Sequence, residues 1–275
     1  MAIRQNKQQP KQRQTPAKSN NARQSLFDED DAPTPKDRAR ELAYDAMESY
    51  NPKEALRFAR AALKLDPDNL DALRIEANFG PTRAAFVIDA LKQVVRRGEE
   101  LLGKEFFRQN HGHFWLVFET RPYMRALADL SQAYQHAGRY SEAIEILQRI
   151  LHLNPNDNQG VRYPLVVMLL ATQRLEEARQ LLDKYHEHTA MMSWARVLER
   201  YASRDLGGAK RELKTARESN AYVESYLTGR KKLPAMEPDY YSPGAESEAE
   251  VCAIEFQDAS RRYPEWLQWL RLQVI

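Results

Sequence analysis

The sequence predicts an all-α fold: a helical-repeat solenoid, a superhelix of about five helix pairs, closed by a helical C-terminal cap. Three observations carry this. From residue 36 onward apolar residues recur at helical spacing, with no alternation of the strand kind. Glycine is scarce, at 10 of 275 residues, so long helices go uninterrupted. Similar blocks return at a fixed step, with Ala143 and Ala178 lying 35 residues apart in matching contexts.

The elements follow in order. Residues 1–24, MAIRQNKQQPKQRQTPAKSNNARQ, carry Arg4, Lys7, Lys11, Arg13, Lys18 and Arg23 and no acid. So polar a run buries too little to offset the entropy of ordering, which predicts disorder. An acidic patch at 28–31 and Pro33 and Pro35 close this linker at residue 35. The tail reads as a solubilising arm; its other reading is a basic arm that touches nucleic acid or an acidic partner. Salt-dependent retention on DNA or RNA, lost on deleting residues 1–35, would favour the second.

Residues 36–228 form the repeat region. Its best-formed copy begins at Tyr123, YMRALADLSQAYQHAGRYSEAIEILQRILHLNPND. Leu127, Leu130, Ser131 and Tyr134 fall on one side of a first helix, Gly138 makes the turn, and Ala143 and Leu147 carry the second helix. Pro155 stops it, since proline cannot continue a helix. Small residues at 131 and 143 let two antiparallel helices approach. Sister copies place Ala55, Ala59, Ala62 and Leu65 in the same second-helix frame, then Leu165, Leu169, Ala178 and Leu182, then Ala209, Leu213 and Ala216. A degenerate pair ends with residues 82–102, where Thr82 can cap the helix and Gly103 can end it. An inserted segment, around 103–122, precedes the best copy. Residues 229–275 make a basic loop and the cap, in which Trp266 and Trp269 tuck one aromatic face onto the last repeat.

This frame resembles the tetratricopeptide repeat over about 36–220. The ordered motifs GHFWLVFETRPYMRA, LNPNDNQGVRY, AYVESYLTGRKKLP and ESEAEVCAIEFQDASRRYPEWLQWL also resemble bacterial relatives of the suppressor of tumorigenicity 7 family, over residues 40–270. The resemblance implies a helical-repeat protein with no established chemistry. Animal members carry an N-terminal membrane segment that has no counterpart here, so their location is not carried over.

Composition narrows the function. Lys and Arg number 41 against 39 Asp and Glu, which argues against a surface built throughout for nucleic acid. One cysteine, Cys252, can form neither an internal disulfide nor a thiolate metal cage, and its apolar setting VCAIEF suits a buried, inert thiol. The longest apolar run, residues 165–171, is far short of a membrane helix, and the N-terminus lacks a signal-peptide core. The expected compartment is the cytoplasm. No phosphate loop, nucleophile elbow or HExxH occurs, so neither an enzyme nor a cofactor is expected.

The run HGHFWLVFETRPYMR, residues 111–125, holds the densest chemistry. His111 and His113 supply two metal donors with only Glu119 beside them, too few for zinc, so local hydrogen bonding is the favoured reading. Phe114, Trp115 and Phe118 are expected to form one aromatic helical face that packs as core. Arg121 precedes Pro122, which favours extended backbone, placing a charged fork at a break between helices. Glu119, Arg121 and Arg125 read as an ion-paired anchor or as an anion site. Asn156, Asp157 and Asn158 read as caps of the next helix. Beyond them Arg162 and Tyr163 fall where Arg125 does one repeat earlier, and the three would suit an acidic or C-terminal carboxylate peptide. The Lys, Asn and Arg carboxylate clamp of some tetratricopeptide proteins is absent: its places hold Arg125, Ala128, Asp129 and Gln132, then Gly160, Tyr163, Pro164 and Val167. The basic loop 229–232 reads as a solvated turn. The expected function is therefore a non-enzymatic scaffold for a protein or peptide partner, with a tail-driven nucleic-acid role as the alternative.

Overall fold

A computed structural model describes residues 33–273, apart from 81–82, 237 and 239. The basic tail and the Thr82 cap lie outside the described residues. Within them the regular structure is all helical, fourteen α-helices and one 3-10 turn. Ten of the helices form five consecutive pairs. These are α1 (Pro35–Glu48) with α2 (Pro52–Leu65), α3 (Leu70–Phe79) with α4 (Ala84–Asn110), and α5 (Arg121–His136) with α6 (Tyr140–Leu153). The last two are α7 (Arg162–Ala171) with α8 (Leu175–Lys184), and α9 (Ala190–Ala202) with α10 (Leu206–Ser219). The C-terminal segment adds α11 (Val223–Leu227), α12 (Glu246–Glu255), α13 (Gln257–Arg262) and α14 (Pro264–Leu272).

Local chemistry sets the boundaries. Thr34 and Asp37 make a reciprocal capping box at α1, and Asn51, Asn69, Thr189 and Asp205 accept first-turn N–H groups at α2, α3, α9 and α10. Gly138 takes φ 70°, which an L side chain resists, to turn α5 into α6. The repeated frame is the seam between paired helices: Ala55, Ala59, Ala62, Ala143, Leu147, Ala178, Leu182, Ala209, Leu213 and Ala216 are all buried. Where α5 meets α6 closely, the Ser131 hydroxyl donates to the Ala143 carbonyl at 3.2 Å. Leu65 departs from the frame. It ends α2 beyond the seam and is 41% exposed.

Around the insert three expectations are corrected. Gly103 takes φ 73° and ψ 157° and breaks the helix, but the chain resumes helical geometry as far as Asn110. Residues 114–118 are not a helix. Turns cover 111–117 and a 3-10 turn covers Phe118–Thr120. The aromatic side chains therefore diverge: Phe114 is fully buried, with ring centroids 4.9 Å from Phe107 and 6.3 Å from Tyr123, while Phe118 is 47% exposed. Backbone pairing holds this shape, since the Phe114 N–H donates to the Leu153 carbonyl at 3.2 Å. The Thr120 hydroxyl also reaches the Phe114 and Val117 carbonyls. Arg121 is helical, at φ −58° and ψ −41°, because it opens α5 with Pro122 in the first turn, where no intrahelical N–H is needed.

Gly98, inside α4, sits under the Tyr123 ring. A Cβ there would lie 2.7 Å from Tyr123 Cδ2 and 3.2 Å from Leu70 Cδ1. Gly→Ala inside a helix ordinarily gains about 1 kcal/mol. Here overpacking reverses the sign, and Gly98→Ala is expected to cost about 1–3 kcal/mol in a urea titration. A gain in stability would show that α4 has room to shift.

The C-terminal segment does more than close the end. α13 packs on α7, and α12 and α14 pack on α9. The Tyr140 hydroxyl, on α6, donates to Asp258 on α13, and Asn220 donates to Glu248 at 3.0 Å. Trp266 is fully buried beside Phe256, and Trp269 stacks on Tyr201 of α9 at 5.4 Å. Consequently α7 is buried continuously from Leu165 to Leu170, and α9 is buried on nearly every face. The first helices of the fourth and fifth pairs are covered by the chain itself. Those of the first three pairs are not covered by any described residue outside their own and neighbouring pairs.

Candidate functional site

The uncovered first helices, α1, α3 and α5, lie side by side. Each presents residues at steps of three to four: Arg40, Tyr44 and Met47 on α1, Asp71, Arg74 and Asn78 on α3, and Arg125, Asp129 and Gln132 on α5. That spacing puts each set on one face of its helix, so the three faces form a single trough. It holds two hollows of about 350 Å³ and 530 Å³.

A polar ladder separates the hollows. Arg125 donates to Asp71 at 2.8 Å, Arg74 donates to Asp71 at 2.9 Å and to Asp129 at 2.9 Å, and Asn78 donates to Asp129 at 2.6 Å. Asp71 is 6% exposed, so these charges are paired in a poorly hydrated seam. Burial opposes the Arg74 charge, but the Asp129 and Asp71 carboxylates outweigh it and the guanidinium holds its proton more tightly than usual. This ladder joins the second and third pairs.

The five candidates from the sequence fall in two places. Glu119, Arg121 and Arg125 line the 350 Å³ hollow, together with Arg40, Tyr44 and Leu101. They do not form the expected mutual anchor. The partner of Arg125 is Asp71, and Arg121 Nε donates to the Trp115 carbonyl at 3.1 Å. Glu119 is exposed, with no side-chain partner among the described residues. The hinge geometry accounts for this, since the helical Arg121 points back along the turn that precedes it.

Arg162 and Tyr163 sit elsewhere. Arg162 donates to Asp157 Oδ2 at 2.8 Å, to Glu187 through Nε at 2.7 Å, and to the Tyr163 hydroxyl at 2.7 Å. Asp157 in turn accepts the N–H groups of Val161 at 2.8 Å and Arg162 at 3.0 Å, as expected of a cap. Burial opposes the Arg162 charge, yet Glu187 and Asp157 hold the proton more tightly than usual. Arg162 is therefore an internal tie, and Tyr163 lines a third hollow, about 540 Å³, against the C-terminal segment. Arg125 and Arg162 share no hollow among those described. Arg125 is the fifth residue of α5 whereas Arg162 is the first of α7, so the expected correspondence of the two positions does not hold.

The histidines also regroup. His111 Nε2 lies 2.7 Å from His152 Nε2 on α6, so the insert meets a histidine remote in sequence, while His113 takes no part. No group of three His, Cys, Asp or Glu with metal-holding geometry occurs among the described residues. Cys252 is fully buried, and that burial pushes its thiol well above the ordinary range. In the basic loop Lys231 pairs with Glu246 at 2.5 Å and Arg230 with Glu224 at 3.3 Å.

Arg40, Tyr44, Asp71, Arg74 and Asn78 escaped the sequence reading. Their signal is the three-to-four spacing of polar residues on successive first helices, visible only once the degenerate second pair is in frame.

Five helix pairs with a trough left open by the described residues define a class, the all-α helical-repeat proteins. Residues 134–191, from the end of α5 to the start of α9, match the family described as tetratricopeptide repeat. The chain has no significant sequence match among the curated proteins. No described helix is long and apolar enough to cross a membrane.

Proposed function

We propose that the protein is a non-enzymatic scaffold that holds a peptide or protein segment in the trough of α1, α3 and α5. The observation that carries this is the asymmetry of cover among the described residues: three first helices stay open while the other two are covered by α12, α13 and α14. The open part also keeps large apolar groups in water, with Phe79 49%, Leu101 45% and Phe118 47% exposed. Apolar groups clustered at a hollow, with polar groups at its rim, are the features of a contact surface. The tetratricopeptide match supports an interaction role in general. The resemblance to the bacterial relatives of the suppressor of tumorigenicity 7 family names no partner.

The test is a crosslinking pull-down from the native cell with wild type, Arg40→Glu, Arg121→Glu and Lys210→Glu, the last on the exposed side of α10. Partners are expected to drop at least tenfold for the two trough variants and to persist for Lys210→Glu. An unchanged partner set across all four proteins, each shown folded by circular dichroism, overturns the reading.

A further inference from the structure

The 350 Å³ hollow at the insert end of the trough is specific enough to name a ligand chemistry, on the footing of the scaffold reading above. We propose that it recognises a short peptide segment in which one carboxylate adjoins an aromatic or large aliphatic side chain.

The donors come first. Of the three arginines lining the hollow, Arg125 is committed to Asp71. Arg40 has only a 3.5 Å contact with Asp37, with both side chains about half exposed, a geometry of little strength. Arg121 spends Nε on the Trp115 carbonyl, and its two terminal nitrogens meet no acceptor among the described residues. The guanidinium carbons of Arg40 and Arg121 lie 6.0 Å and 5.6 Å from the centroid of the Phe118 ring. Two cations thus converge on one aromatic ring with no carboxylate shared between them. A peptide carboxylate placed there accepts charge-assisted bonds from both.

The apolar half is adjacent. Phe118 and Leu101 are exposed, and Tyr44 and Leu102 are half-buried beside them. The hollow lies near the small end of ligand pockets, roughly 300–1,000 Å³, which suits one anchoring side chain and its neighbours.

The acids set the limit. Asp68 is held by Arg97 through two bonds of 2.7 Å, and Asp71 by Arg74 and Arg125. Glu119 stands exposed on the lip. Arg40 and Arg121 face Glu119 and the loosely placed Asp37, so the described charges at the lip balance, and the terminal nitrogens of Arg121 with the weakly paired Arg40 serve one carboxylate and no more. A nucleic-acid strand brings a phosphate at every nucleotide and meets Asp37, Asp68 and Glu119 with it, so the same aromatics and arginines do not make a strand-binding groove.

Fluorescence anisotropy on the full chain tests this with dye-labelled nine-residue Gly/Ser peptides carrying a central Asp-Phe or Phe-Asp pair. Matched peptides carry Asn-Phe or Asp-Ala, and a labelled ten-nucleotide oligouridylate completes the set. One of the two acid–aromatic peptides is expected to bind, with Asn-Phe and Asp-Ala at least tenfold weaker. Arg121→Ala is expected to weaken binding at least tenfold, Arg121→Lys to restore part of it, and Glu119→Gln to tighten it severalfold. Equal binding of the Asp and Asn peptides, or tighter binding of the oligouridylate, overturns the proposal. No binding of any peptide at about 1 mM also overturns it. In that case a native partner set still sensitive to Arg40→Glu keeps the scaffold reading, whereas an insensitive one removes both.

Discussion

Replacing Trp194 by alanine is expected to lower the unfolding free energy by about 3–5 kcal/mol, among the largest effects available to a single substitution here. Trp194 lies in α9 with no exposed surface, inside the core shared by the last repeats and the C-terminal segment. Its indole N–H makes no hydrogen bond to protein. The loss is therefore transfer plus cavity, with no protein hydrogen bond broken. Trp194→Phe, which keeps most of the apolar contact, is expected to cost about 1–2 kcal/mol. For a chain of this size the alanine variant lowers the melting temperature by roughly 6–20 °C. Urea denaturation followed by circular dichroism measures both variants. A cost below about 1 kcal/mol for the alanine variant would mean that α12 and α14 close onto α9 and fill the space, so that the cover over the last repeats is not fixed.

The second large effect is at Asp157. Its side chain has no exposed area, and its carboxylate accepts two backbone N–H groups at the start of α7 and the Arg162 guanidinium. Asp157→Ala strands those donors and breaks one arm of the Arg162 tie, for an expected loss of about 3–5 kcal/mol. Asp157 itself takes φ 49°, a left-handed conformation that asparagine tolerates better than alanine. Asp157→Asn keeps one acceptor and is expected to cost less than half as much. Because this knot lies outside the open trough, partner binding by the folded fraction should be unaffected. Loss of partner binding with stability retained would return Arg162 and Tyr163 to the contact surface.

The two sites differ in how far the sequence reveals them. At Asp157 the local pattern sufficed, because a cap is satisfied within a few residues of itself. At Arg121 it misled. Pre-proline sterics favour extended backbone for an isolated dipeptide, but a first-turn position demands no N–H from Pro122, and the residue joined the helix. The aromatic trio failed for a related reason: a 0, +1, +4 spacing fits a helix, and only the pairing of Phe114 with Leu153 of α6 makes the segment a turn. His152 illustrates the general limit, since it meets His111 across 41 residues of chain and no local pattern announces it.

What the sequence determined by itself is the repeat: helix periods, caps, the Gly138 turn and the small residues at the seams all act over one or two turns, so they can be read locally. Even the burial of α7 was legible, since a helix apolar on every face must be covered. What covered it was not. Only the tertiary structure decided that α12, α13 and α14 cover the last two pairs, that Asp71 and not Glu119 claims Arg125, and that the trough left open by the described residues belongs to α1, α3 and α5. The reason is physical: those outcomes depend on which distant surfaces find one another, and contacts between distant segments leave no period in the chain.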